Sequence, residues 1–180
     1  VSNILMQTSL NIILIGAGPA NLMAAEVLAT AGHHVLIFER NKAAARKFLV
    51  AGHGGFNLTH NEPIDEFVAK YDAVYVKDIV RKFDNQATIQ WLNDLGITTY
   101  VGSSGKIFPT KDIKPIQVLQ VWLKRLASLN VTIHFGCTMM DFDNNSVTIE
   151  NNEGISKHQF DRLILGLGGK SWAKTGSDGM

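Results

Sequence analysis

The feature that most restricts this chain is a short apolar run followed at once by glycines. Leu10 to Ile15 is almost wholly apolar and is closed by Gly16-Ala17-Gly18-Pro19-Ala20-Asn21. Such a run, stopped by glycine, predicts a parallel strand buried on both faces. Asn21 to Thr30, rich in Ala, Leu and Met, predicts a helix, with Gly32 as its C-terminal cap. His34 to Glu39 predicts a second strand. Strand, helix and strand within about 30 residues make a βαβ crossover.

The glycine turn carries a specific chemical expectation. Gly16 permits a tight turn, and Gly18 leaves room for a diphosphate to approach the backbone. The helix start beyond them offers N–H groups and a partial positive charge. Gly16 and Gly18 are therefore candidate cofactor-binding residues. The third position of the pattern usually takes a small residue so that helix and strand pack closely. Here it is Asn21. Its amide either bonds to backbone or ligand at the helix start, or pushes the helix outward and weakens the site. Glu39 lies about 20 residues on, where an acidic side chain accepts hydrogen bonds from a ribose diol. Its charge opposes a 2′-phosphate, which points to the adenosine half of FAD or NAD rather than NADP.

The rest of the chain reads as alternating elements. Lys42 to Asn61 contains Gly52, Gly54 and Gly55 and is expected to be a functional loop. Pro63 to Gly96 reads as helical pieces, with Asn85 as an N-cap. Ile97 to Val101 and Lys106 to Phe108 read as short strands. Ile113 to Leu129 reads as an amphipathic helix with Ile116, Leu119, Leu123, Leu126 and Ala127 on one face. Val131 to Phe135 and Arg162 to Leu167 read as further buried strands. Thr138 to Phe142, Ser146 to Glu150 and Ile155 to Phe160 predict an antiparallel meander, turned by Asp143-Asn144-Asn145 and Asn151-Asn152-Glu153-Gly154. The expected class is α/β: a Rossmann-like parallel sheet with helices plus a three-stranded meander.

Composition excludes some functions. The 17 basic residues nearly balance 16 acidic ones, giving a net charge of +1. A nucleic-acid binder usually shows a basic bias, so nucleic acid is not an expected partner. The one cysteine, Cys137, cannot form an internal disulfide and reads as a small buried hydrophobe. No stretch approaches the roughly 20 apolar residues that span a bilayer, and the chain is expected to be cytoplasmic. The histidines show no metal spacing. His53 and His60, in the glycine-rich loop, are the exceptions worth following. Trp91, Trp122 and Trp172 read as packing residues, with Trp172 close enough in sequence to Gly168-Gly169 to approach a cofactor.

Four segments together go further. GAGPANLMAA, RKFLVAGHGGFNLTH, GSSGKIFP and LGLGGKSWAKTGSDG occur in this order over nearly the whole chain. They resemble the bacterial NAD(P)/FAD-dependent oxidoreductase family of aminoacetone-oxidase-like and BaiN-like (HI-0933-like) flavoproteins. The resemblance implies an FAD-binding domain of glutathione-reductase type over residues 1–180, with a helical insertion at about 61–110. It implies FAD as cofactor, with NAD(P)H a candidate electron donor and a small molecule as substrate. Gly16, Gly18, Pro19, Ala20 and Asn21 would line the FAD diphosphate. Glu39 would hold the adenosine ribose, with Arg40 beside it. Arg46 and Lys47 would bring positive charge to the phosphates or pin the glycine loop. Gly54, Asn57 and Thr59 would bring donors toward the flavin. Gly168 and Gly169 would let the chain pass close to the cofactor, and the chain around Thr138 would touch the adenine. No catalytic residue is identified.

Two departures matter. The commoner family pattern has Arg and Cys where this chain has Gly55 and Phe56, so any thiol role there is absent. Family members are also longer, so the chain is expected to be an N-terminal portion, inactive by itself. The competing reading is a non-catalytic nucleotide-binding or interaction module, favoured by Asn21 and Phe56. A plain NAD dehydrogenase is disfavoured by the meander and the long insertion.

Overall fold

The computed structural model describes residues 8–50, 56–110 and 113–169. Gly54, His53, Gly55 and Trp172 lie outside the described residues. In chain order the elements are β1 (Asn11–Ile15), α1 (Pro19–Thr30), β2 (His34–Glu39), α2 (Arg46–Val50), β3 (Thr59–His60), α3 (Ile64–Ala69), α4 (Val74–Lys82) and α5 (Asn85–Asp94). They continue with β4 (Thr99–Val101), β5 (Lys106–Pro109), α6 (Pro115–Ser128), β6 (Thr132–Phe135), β7 (Thr138–Phe142), β8 (Ser146–Asn151), β9 (Gly154–Gln159) and β10 (Arg162–Leu165).

The chain divides into two compact units, one of residues 1–49 with 123–180 and one of Val50–Trp122. The first unit is built on a parallel sheet of order β10-β1-β2-β6. Ile12, Ile13, Leu14 and Ile15 are all buried, as a strand apolar at every position requires when both faces are covered. α1 carries the crossover from β1 to β2. Gly32 closes that helix, its amide donating to Ala29 O. Arg125 of α6 pairs with the buried Glu26 of α1 at 2.8 Å.

The meander β7-β8-β9 is antiparallel, with an irregularity between Met139 and Asp141. Val147 and Ile149 of β8 join Ile13, Ile15, Phe38 and Cys137 in one apolar cluster. Alternate residues of a strand share a face, so the meander covers the side of the sheet to which Ile13 and Ile15 point. Asp143 builds the first meander turn by accepting from the Asn145 and Ser146 amides, the Ser146 hydroxyl and Lys157. These bonds, led by the Asn145 amide, hold its carboxyl well below the usual carboxylate range.

The second unit holds α3, α4, α5 and a small sheet of order β3-β5-β4. Val68, Leu92 and Ile107 are buried in it, and Trp91 meets Trp122 edge-on at 4.8 Å. Thus Trp91 and Trp122 are packing residues.

The structure corrects several expectations. α1 begins at Pro19 rather than Asn21, because proline suits the first helical position and Gly18 takes the extended cap conformation. Asp84, not Asn85, caps α5: its Oδ1 accepts from the Ala87 amide. Asn85 instead donates to the His60 and Glu62 carbonyls. Lys42 to Asn61 is not all loop, since α2 forms within it. The buried face of α6 is Val118, Leu119, Trp122 and Leu126, while Ile116 is exposed. Finally, among the described residues β6 and β10 stand at the two ends of the parallel sheet and are not buried throughout: Phe135 and Leu165 are exposed.

His158 of β9 lies against the Phe38 ring at 4.7 Å, and His134 stacks on the same ring at 5.6 Å. Burial, and secondarily His134, lowers the pKa of His158. A group whose pKa is lower folded than unfolded binds fewer protons in the native state, so acid favours unfolding. The urea midpoint of the protein is expected to fall as pH drops from 7.5 through the ordinary imidazole value of about 6.5. His158→Gln should flatten that fall, and an unchanged slope in the variant would refute the assignment.

Candidate functional site

Parallel pairing sets Ile15 opposite Phe38, so the turn after β1 meets the end of β2. Three hydrogen bonds then tie the two together. Gly16 N donates to Phe38 O at 2.7 Å. Ala17 N donates to Glu39 Oε2 at 2.7 Å. Ala45 N, from the segment after β2, donates to Ala17 O at 2.8 Å. The peptide groups around Ala17 are therefore held from both sides. Gly16 has φ +94°, and a Cβ there would lie 2.7 Å from Gly166 O. Both observations require glycine.

Asn21 resolves in favour of backbone bonding. It is buried, and its Nδ2 donates to Ile15 O and Gly16 O, each at 2.8 Å. The helix is not forced off, because the opposing residue on the far side is Gly166. A Cβ on Gly166 would fall 2.3 Å from Asn21 Cγ. The small residue that the usual pattern places in the helix stands here at the end of β10. Sequence reasoning singled out Gly168 and Gly169 and missed Gly166. The signal was the longer run Gly166-Leu167-Gly168-Gly169 facing an oversized third position.

A cavity of about 370 Å³ opens at the carboxyl ends of β1, β2 and β10. Its size lies in the range of small-molecule sites, about 300–1,000 Å³. In open α/β sheets ligands bind at such strand ends, where the chain order reverses; here β1 stands between β2 and β10. Of the sequence-derived candidates, Gly16, Gly18, Pro19 and Glu39 line it, as do Arg40, Arg46, Lys47, Thr138 and Gly168. Asn21 lies beneath the turn rather than on the wall. Ala20 and Gly169 are described but do not line it. Asn57 and Thr59 belong to the second unit, where Thr59 pairs with Ile107. His60 packs against Gly105 there, its Nε2 3.1 Å from Ser104 O.

A Cβ on Gly18 would meet nothing within 4 Å. Gly18 is therefore an open cradle on the cavity wall, at the N-terminus of α1, whose first turn carries no acidic residue. That arrangement suits a diphosphate. Arg40, Arg46 and Lys47 add positive charge. At the other end lie Cys137, Thr138 and Met139. The Cys137 thiol is pushed up by burial and is no ready nucleophile.

Glu39, on the cavity wall, is also held by the protein's own donors. It is 7% exposed. Oε2 accepts from Ala17 N, while Oε1 accepts from Asn41 N at 2.8 Å and Asn41 Nδ2 at 2.6 Å. Asn41 Oδ1 in turn accepts from Arg46 Nη1 at 2.6 Å. Asn41 was not among the sequence-derived candidates.

Comparison with known proteins places this geometry. The family model described as "HI0933-like protein Rossmann domain" matches residues 10–180. A ribosomal RNA dihydrouridine synthase of Haemophilus influenzae is 34% identical over 96 residues, which are 53% of this chain and 24% of that protein. A 3-dehydro-bile acid delta(4,6)-reductase of Clostridium scindens is 27% identical over 169 residues, covering 92% of this chain and 41% of that protein. The chain thus spans less than half the length of these relatives. The crystal structure of a 3-ketosteroid-delta4-(5alpha)-dehydrogenase from Rhodococcus jostii RHA1 shares the fold, with TM-score 0.62 at 13% identity, over 92% of this chain and 47% of that one. No helix among the described residues is long and apolar enough to cross a membrane.

The Asn21–Gly166 contact yields a sharp expectation. Gly166→Ala should destabilise the protein by about 1–3 kcal/mol through overpacking. In the double variant with Asn21→Ala the two costs should not add, because the removed amide vacates the space. Urea unfolding of the four forms measures the coupling, and simple additivity would show that the contact is not tight.

Proposed function

We propose that this chain, which belongs to the HI0933-like protein family, is the FAD-holding part of a flavin-dependent oxidoreductase. The observation that carries the reading is the open cradle at Gly18, set at the start of α1 on the cavity wall. The FAD diphosphate would lie there, with Arg46 and Lys47 offsetting its charge. The adenosine would run toward Thr138 along the ends of β2 and β7. Gly168 would let the chain pass close to the cofactor. Bound FAD would supply the hydride or electron transfer. The chain's own residues bind, orient and shield it.

The names of two relatives support a reaction class. A dihydrouridine synthase and a delta(4,6)-reductase are both named for hydrogen added across a ring double bond. We extend that to this protein: reduction of an activated carbon–carbon double bond in a small molecule, with NAD(P)H as electron donor. The 1–180 span serves as one FAD-binding domain in this reading, with the helices of residues 61–110 as an insertion. Asn21 no longer favours a non-catalytic module, since it sits beneath the turn without occupying the cavity.

The full-length protein should purify yellow and release FAD on denaturation. Reconstitution with FAD failing to colour it would defeat the proposal. Gly18→Val should weaken FAD binding at least about tenfold, or 1.4 kcal/mol, by filling the cradle. Its melting temperature should barely change, since a Cβ at this position meets nothing within 4 Å.

A further inference from the structure

We infer that the exposed apolar face of α4 is a docking surface for the part of the full-length protein outside residues 1–180. The spacing of its side chains defines the face. Tyr75 and Ile79 stand one turn apart, and Phe83 follows at the same interval just past the helix end. Tyr75 is 70% exposed and Ile79 62%, with Val74 and Phe83 exposed beside them. Two residues on from Ile79, Arg81 stands nearly opposite it, and its Nη1 meets Asp65 Oδ1 of α3 at 2.7 Å. Val76 and Val80 are half-buried, but no residue of the helix is buried outright. The largest apolar side chains of α4 thus point to solvent, the reverse of an ordinary surface helix.

A helix of this kind is hard to sustain alone. One shorter than about 12–15 residues is marginal in water and draws its stability from packing. α4 has nine residues. By contrast, α5 buries Leu92 and α6 buries Trp122. Large apolar side chains left exposed side by side mark an interaction site. The occupant follows from chain length. The Clostridium scindens relative matches 92% of this chain with 41% of its own length, and in the Rhodococcus jostii structure the shared fold fills 47% of that chain. More than half of each lies outside the matched region and needs a surface to pack on. α4 belongs to the unit of Val50–Trp122, and none of the residues lining the cavity does. Its face is therefore separate from the cofactor site, and the inference stands apart from the FAD-binding reading.

The experiment uses the full-length wild type. Hydroxyl-radical oxidation, read by mass spectrometry, reports the solvent access of Tyr75 and Phe83, each scaled to its own rate in the urea-unfolded protein. Both should lose reactivity to the level of the buried Trp122, which is 2% exposed, at every protein concentration tested. A full-length variant with a benzophenone amino acid in place of Tyr75 should form, on irradiation, an adduct of monomer mass joined to a peptide outside residues 1–180. Tyr75 oxidising as fast as in the unfolded chain would overturn the inference, since the face is then open. Protection lost on dilution, or an adduct of dimer mass, would overturn it in favour of a second copy of this chain. A cross-link to residues within 1–180 would overturn it as well. None of these results bears on FAD binding, which is read separately from the flavin's colour.

Discussion

The hydrogen bond from Ala17 N to Glu39 Oε2 is the contact on which the site depends. It joins the second residue after the first strand to the last residue of the second. It forms only because β1 and β2 are parallel and in a register that sets Ile15 beside Phe38. That register is itself enforced by burial: Ile13, Ile15 and Phe38 belong to one apolar cluster, and a slip of one residue would turn each toward the wrong face. Sheet packing therefore determines where a backbone amide meets a carboxylate. The start of α1, the Gly18 cradle and the cavity follow from it.

The same logic explains how the turn accepts Asn21. Helix and strand must approach closely at this point, and one residue in the contact must be small. In this chain the requirement falls on Gly166 of the neighbouring strand end, and the asparagine fills the space between. The exchange is not neutral. Asn21 adds bonds to Gly16 O and to Ile15 O, the latter also accepting from the Gly166 amide. The substitution that departs from the pattern thus stiffens the turn.

Much of the fold was legible in the sequence, and the reasons are specific. The βαβ unit was readable because its strands are apolar at nearly every position and a glycine turn stands between them. The meander was readable because Asp143-Asn144-Asn145 and Asn151-Asn152-Glu153-Gly154 supply turn chemistry at each reversal. Edge positions were not, since an apolar strand such as Arg162–Leu165 looks the same whether one neighbour or two flank it. The cap of α5 was missed by one residue because Asp84 and Asn85 are both competent, and only the Ala87 amide decides. Within the site, Gly16, Gly18 and Glu39 were found by spacing. Asn41 was not, because its role arises only when the chain folds back two residues after Glu39. Gly166 was hidden for a related reason: its partner Asn21 is 145 positions away (166 − 21), and no local pattern links them.

Glu39 shows why the order of cause matters. A carboxylate this deeply buried is costly unless it is hydrogen-bonded. The three donors on it are therefore part of what makes the strand end stable, before any ligand arrives. Two of them come from Asn41 and one from the turn that faces the cavity. A site held in this way needs little reorganisation on binding, which spares the ordering cost that ligand capture by a loose loop would carry. The acidic residue at the tip of β2 acts on the protein's own backbone, and the turn it holds leaves Gly18 open on the cavity wall.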